Sequence, residues 1–280
     1  MECEDLALIV SGICIGKGDR VVGHIRLGKL PKSRRWTQVI DLLRLGGSAD
    51  ELAAATAFAA ESELNSAKSD PVFAQAVWLL VQLPLAARSP NFEGGLAALG
   101  LAPEADQSLL ALTTAASNAI DRQVAGRFGR TDLGELARQA ATETLMAFLS
   151  STGPGFFDTP ADALKRELAR LGTKANFAAL MREFFARLTL KTIEYYLSRE
   201  LPNHVGSGKF LPTIDHEIAF RSALGQHCRE ASLIVEAFAG GWYSKAIYDG
   251  TLNPASTKRF AAYALSKMHD ELRARRATDE

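Results

Sequence analysis

Three places in this sequence carry residue types that could do chemistry. Gly12-Ile13-Cys14-Ile15-Gly16-Lys17-Gly18 follows an apolar run, as a phosphate-binding loop follows its strand. Such a loop needs four residues between its glycines, a Ser or Thr after the lysine for Mg²⁺, and a helix whose N-terminus faces the phosphates. Here three residues intervene, Gly18 holds the hydroxyl position and a second apolar run follows, so the segment reads as a turn. Gly206-Ser207-Gly208-Lys209 has a similar composition but no strand before it.

The second place is an acid-base corner. Glu194, Tyr195, Tyr196, Arg199, Glu200 and His204 crowd the end of a long helical pattern, and His216 and Glu217 open the next. Arg199, Glu200, His204 and His216 are the four that a helix-loop-helix corner could gather into one site for proton transfer. The same residues also suit a solvated helix end, with Arg199 near the negative end of the dipole and Pro202 stopping the helix. Metal chemistry finds no support. His216 and His227 return to one helical face but stand about 16 Å apart at roughly 1.5 Å per residue. The chain has no CxxC or HExxH. His227 therefore reads as a partly buried side chain bonded to a neighbour, and neither a metal nor a cofactor is expected.

The third place is electrostatic. Lys17, Arg20, Arg26, Lys29, Lys32, Arg34 and Arg35 face one acid, Asp19, giving about +6 locally. The whole chain is neutral, with 32 basic and 32 acidic side chains. Lys32, Arg34 and Arg35 open a helix, where the dipole disfavours cations, and Trp36 follows directly. These eight residues, Lys17 through Trp36, form the expected surface for an anionic partner. Nucleic acid would use counterion release, with Trp36 available to stack on a base; an acidic protein surface would suit the cations equally.

The elements that must position these groups are mostly helices. Residues 6–15 and 20–27 are rich in aliphatic and β-branched side chains around the Gly16–Asp19 turn, which predicts an N-terminal β-hairpin over 1–31. From Lys32 onward, start signals recur: the capping box Ser48-Ala49-Asp50-Glu51, then Asp70-Pro71, Thr159-Pro160 and Asn253-Pro254. Helices are predicted over 33–45, 48–67, 71–88, 104–125, 132–150, 160–171, 174–200, 214–239 and 254–275. Gly240-Gly241 is expected to end a helix and leave Trp242, Tyr243 and Tyr248 in a connection, plugging the core.

The fold class is thus all-α, an irregular multi-helix bundle with a short hairpin and no repeat period. Gly153-Pro154-Gly155 divides helical lobes 32–152 and 156–280, or joins two helices of one domain. Three scattered cysteines fit a reducing compartment. The acidic start, with Glu2, Glu4 and Asp5, does not resemble an export signal. The greasiest run, Ala74 to Ala87, is interrupted by Gln75, Gln82 and Pro84, so a soluble cytoplasmic protein off the membrane is expected. Without a catalytic signature, the leading expectation is a non-enzymatic helical subunit or adaptor of a bacterial-type cytosolic multiprotein assembly, with a protein partner. Nucleic-acid binding comes second and an enzyme using the Arg199–His216 corner third.

Overall fold

The computed structural model describes residues 34–60, 65, 68–101, 108–125, 131–150 and 161–278. The predicted hairpin, the Thr159-Pro160 cap and the Gly153–Gly155 boundary lie outside them. Among the described residues the chain is helical: α1 (Arg34–Leu45), α2 (Ala49–Ala59), α3 (Pro71–Arg88), α4 (Phe92–Ala98), α5 (Leu109–Ala125), α6 (Asp132–Ser150), α7 (Ala161–Leu171), α8 (Lys174–Leu197), α9 (Ile214–Ala231), α10 (Leu233–Tyr248) and α11 (Pro254–Thr278). A 3₁₀ turn, Leu201–His204, lies between α8 and α9.

Local caps explain where these helices begin. Glu51 N–H donates to Ser48 Oγ at 3.1 Å and Ser48 N–H to Glu51 Oε2 at 2.7 Å, the reciprocal box its spacing predicts. Asp70 Oδ1 accepts from the N–H groups of Val72 and Phe73 at 2.8 and 3.0 Å, with Pro71 at the first helical position. Its second oxygen accepts from Thr131 Oγ1 at 2.6 Å, and Thr131 in turn caps α6 through Gly134 N–H at 2.8 Å. One buried carboxylate thus ties the starts of two helices together. Asn253 Oδ1 accepts from Ser256 N–H at 2.9 Å at the start of α11.

Helix α8 is the centre of the bundle and packs against α6, α9 and α10. Phe177, Leu180, Met181, Phe184, Phe185 and Leu188 are buried along it. Phe73 of α3 meets Phe184 and Phe185 with ring centroids 6.3 and 6.2 Å apart. Helices from both sides of residue 153 share this core, with α2 on α9 and α11, and α3 on α7 and α11.

Three expectations are corrected. The single helix predicted over 214–239 is two, broken at Ser232, whose Oγ donates back to Arg229 O at 2.7 Å. Gly240-Gly241 does not end a helix but lies inside α10. A Cβ on Gly240 would fall 2.3 Å from Lys174 O, so glycine serves the close approach of α10 to the first turn of α8. Trp242 and Tyr243 therefore reach the core from a helix: Tyr243 stacks on Phe177 at 3.8 Å and 7°, and Trp242 on Phe260 at 4.0 Å and 15°. Third, α3 is long and apolar enough to cross a membrane by length and composition, despite its glutamines and Pro84. More than half of that span is buried in the protein, which is how the core helix of a globular bundle looks. An unpredicted short helix, α4, is capped by Asn91 Oδ1 on Gly94 N–H at 2.9 Å.

Candidate functional site

Of the eight residues expected to meet an anionic partner, Lys17, Arg20, Arg26, Lys29 and Lys32 lie outside the described residues. Arg34 and Arg35 open α1 and are exposed. Trp36 is only 7% exposed and packs in the core with Val39 and Leu43. Its ring is a core anchor, and its place one and two turns before Val39 and Leu43 is the helical signal that the adjacent charges obscured. Arg35 donates to Phe58 O at 3.3 Å and sets its guanidinium 3.9 Å from the Phe58 ring centroid. Arg273 of α11 reaches the same ring at 5.3 Å. The two ends of the described chain so bring cations to one aromatic face, a convergence that sequence distance hides.

The acid-base corner comes apart. Arg199 donates to Tyr195 Oη at 3.2 Å, and Tyr195 Oη donates to Asp132 Oδ2 at 2.5 Å, linking α8 to the start of α6. Burial, and then the Asp132 carboxylate, raise the Tyr195 phenol above its ordinary value, so it stays protonated as a structural donor. His216 Nδ1 lies 2.6 Å from Thr213 Oγ1, the cap of its own helix. Glu200 leads into the 3₁₀ turn, and His204 faces α1. Among the described residues no hydrogen bond or ion pair joins any two of Arg199, Glu200, His204 and His216.

The other titratable groups are also structural. His227 is buried, with Nδ1 2.9 Å from Asp50 Oδ1, which ties α9 to the first turn of α2. Burial first, and Glu194 second, push the Cys228 thiol up to about 12, so it is no nucleophile near neutral pH. A cleft of about 220 Å³ along α8 is lined by Glu143, Glu183, Arg187, Lys191, Glu194 and Arg229 among others. Most of its charges neutralise one another: Lys191 to Glu143 at 2.7 Å, Arg187 to Glu183 at 2.8 Å, and Glu194 to Arg221 at 3.2 Å. Among the described residues no group of three His, Cys, Asp or Glu could hold a metal ion.

A different surface stands out at the junction of α1 with the loop before α9. Leu45 ends α1 with 85% of its surface exposed, beside Phe210. Four residues further, α9 opens with Ile214 at 71% and Ile218 at 61%. A four-residue link spans at most about 14 Å, so Ile214 lies within that reach of Phe210. No protein-family model, curated protein or solved structure matches this chain. The functional reading therefore rests on these surfaces.

Proposed function

We propose that this protein is a non-enzymatic helical subunit or adaptor of a cytosolic multiprotein assembly and acts through protein–protein contacts. The observation that carries the reading is the pair Ile214 and Ile218, one turn apart on α9 and both exposed. Ile214 and Ile218 are more exposed than Leu110, Leu233 and Ile247, the other exposed aliphatics outside Leu45, and leaving them in water carries a cost. Covering each side chain returns about 1.5–3 kcal/mol, and grouped exposed aliphatics mark partner surfaces.

Affinity capture of the tagged chain from its native cells, compared with Ile214→Asp/Ile218→Asp, tests this. The double variant should keep its circular dichroism spectrum and lose its stoichiometric partner by about tenfold or more, since buried charge at an interface centre is strongly penalised. A folded variant that retains every partner overturns the reading, as does a wild-type chain that purifies alone.

A second reading, nucleic-acid binding through the basic end of α1, is favoured by the convergence of Arg35 and Arg273 on Phe58. Under it, Lys32→Glu/Arg34→Glu/Arg35→Glu weakens binding to every oligonucleotide and flattens the salt dependence by about one counterion per lost phosphate contact. Unchanged affinity and salt slope, measured by anisotropy, remove that reading.

A further inference from the structure

We infer that the depression between the end of α1 and the 204–211 loop is a binding site for an amphipathic anion: a carboxylate or phosphate head group carried on an apolar body. The depression is open and shallow, has a volume of about 430 Å³, and is lined by Arg44, Leu45, His204, Lys209 and Phe210 among others, with no acidic residue. That volume falls within the range of small-ligand sites, roughly 300–1,000 Å³.

Among the described residues its cations have no ion-pair partner. Arg182, Arg187, Arg221 and Arg275 each pair with a glutamate. Arg44 and Lys209 form no such ion pair among the described residues, although both line one concavity. His204 adds an imidazole to the same lining. Two cations lining one depression with no acid in its lining favour an incoming anion, which Arg44 can grip through two parallel N–H bonds.

The loop that presents them is built in advance. Gly206 N–H donates to Leu211 O at 2.9 Å, Leu211 N–H to His204 O at 3.0 Å, and Lys209 N–H to Gly206 O at 3.0 Å. Gly206 and Gly208 take φ of +125° and +74°, which residues with a side chain rarely adopt, so the tight path of the Gly206-Ser207-Gly208-Lys209 segment depends on them. Phe210 is braced edge-on by Phe220 at 5.8 Å. Across the depression, Gly46 ends α1 at φ +85°, and Leu42 O accepts from both Gly46 and Gly47 N–H at 3.0 and 2.9 Å. The carbonyl end of α1 is partly satisfied in this way, and side chains set the sign of the depression. Phe210 and the exposed Leu45 supply the apolar surface beside the cations.

The test uses the full chain and follows its amide signals by NMR during titration. The probes are octanoate, octyl phosphate, octanamide, inorganic phosphate, and a leucine-terminated tetrapeptide with either a free or an amidated C-terminus. At least one amphipathic anion should shift Arg44, Lys209 and Phe210 and bind about tenfold more tightly than octanamide or inorganic phosphate. Preference for the alkyl anions identifies a free small molecule, and preference for the free-acid peptide identifies a chain terminus. Arg44→Glu/Lys209→Glu should abolish the shifts with the helical spectrum intact, and Arg44→Ala/Lys209→Ala should weaken them about tenfold. The inference is overturned if no amphipathic anion shifts these residues at millimolar concentration, or if a folded double variant binds as tightly as the wild type.

Discussion

Gly240→Ala is expected to destabilise the protein by about 3 kcal/mol, the upper part of the range for overpacking a tight core. The new Cβ would stand 2.3 Å from Lys174 O and 3.1 Å from its carbonyl carbon. Those are backbone atoms, so no rotamer change relieves the clash and α8 must move as a body. Moving it separates Phe177 from Tyr243, the pair stacked one turn further along both helices. The adjacent glycine is the control. A Cβ on Gly241 meets nothing within 4 Å, and Gly241→Ala should be neutral or stabilising by up to about 1 kcal/mol through helix propensity. Urea denaturation of the two variants measures the contrast, and equal stabilities would refute the close-approach role of Gly240.

Tyr243→Ala should cost about 3–5 kcal/mol, as large aromatic truncations in cores do. Its ring is fully buried between α10 and α8 and lies on Phe177 at 3.8 Å. Tyr243→Phe should cost at most about 1 kcal/mol, because among the described residues the hydroxyl reaches only Val81 O, at 3.5 Å. The phenol also links stability to pH. Burial pushes it up to about 12 from an ordinary value near 10. Its contribution is therefore complete below pH 10 and lost as the pH rises toward 12, because the unfolded chain releases that proton first. Tyr243→Phe should lessen the alkaline fall in stability between these values; an identical fall in both proteins would contradict the burial of the hydroxyl.

These two variants also show why some of the fold was legible in the sequence and some was not. Ser48, Asp70 and Asn253 announce helix starts because a cap is a local event, completed within three residues of chain. Gly240 misleads because its role is tertiary. The same residue type that ends helices also lets two helices touch, and only the position of Lys174 decides between them. The break at Ser232 carries neither Gly nor Pro, so nothing local marks it. Trp36 was legible in its spacing with Val39 and Leu43, but the run of cations before it suggested a surface.

The candidate surfaces were less legible still. Arg35 and Arg273 meet on Phe58 from opposite ends of the described chain. Arg44 and Lys209 face one depression from segments more than 150 residues apart. Neither pairing leaves a periodic signal. Gly206-Ser207-Gly208-Lys209 did stand out in the sequence, as a failed nucleotide motif. Its structural sense is a closed loop that holds a lysine and an aromatic ring over α1.

The proposal that the protein works through a partner at the exposed start of α9 is tested most directly by cross-linking the chain, purified with its partners from native cells, through its lysines. Mapped by mass spectrometry, intermolecular cross-links should concentrate at Lys209, the lysine beside Leu45 and Phe210, and should fall about tenfold in Ile214→Asp/Ile218→Asp. A chain that yields no intermolecular cross-links, or one whose cross-links fall on Lys165, Lys245 and Lys258 and persist in the folded double variant, contradicts the account.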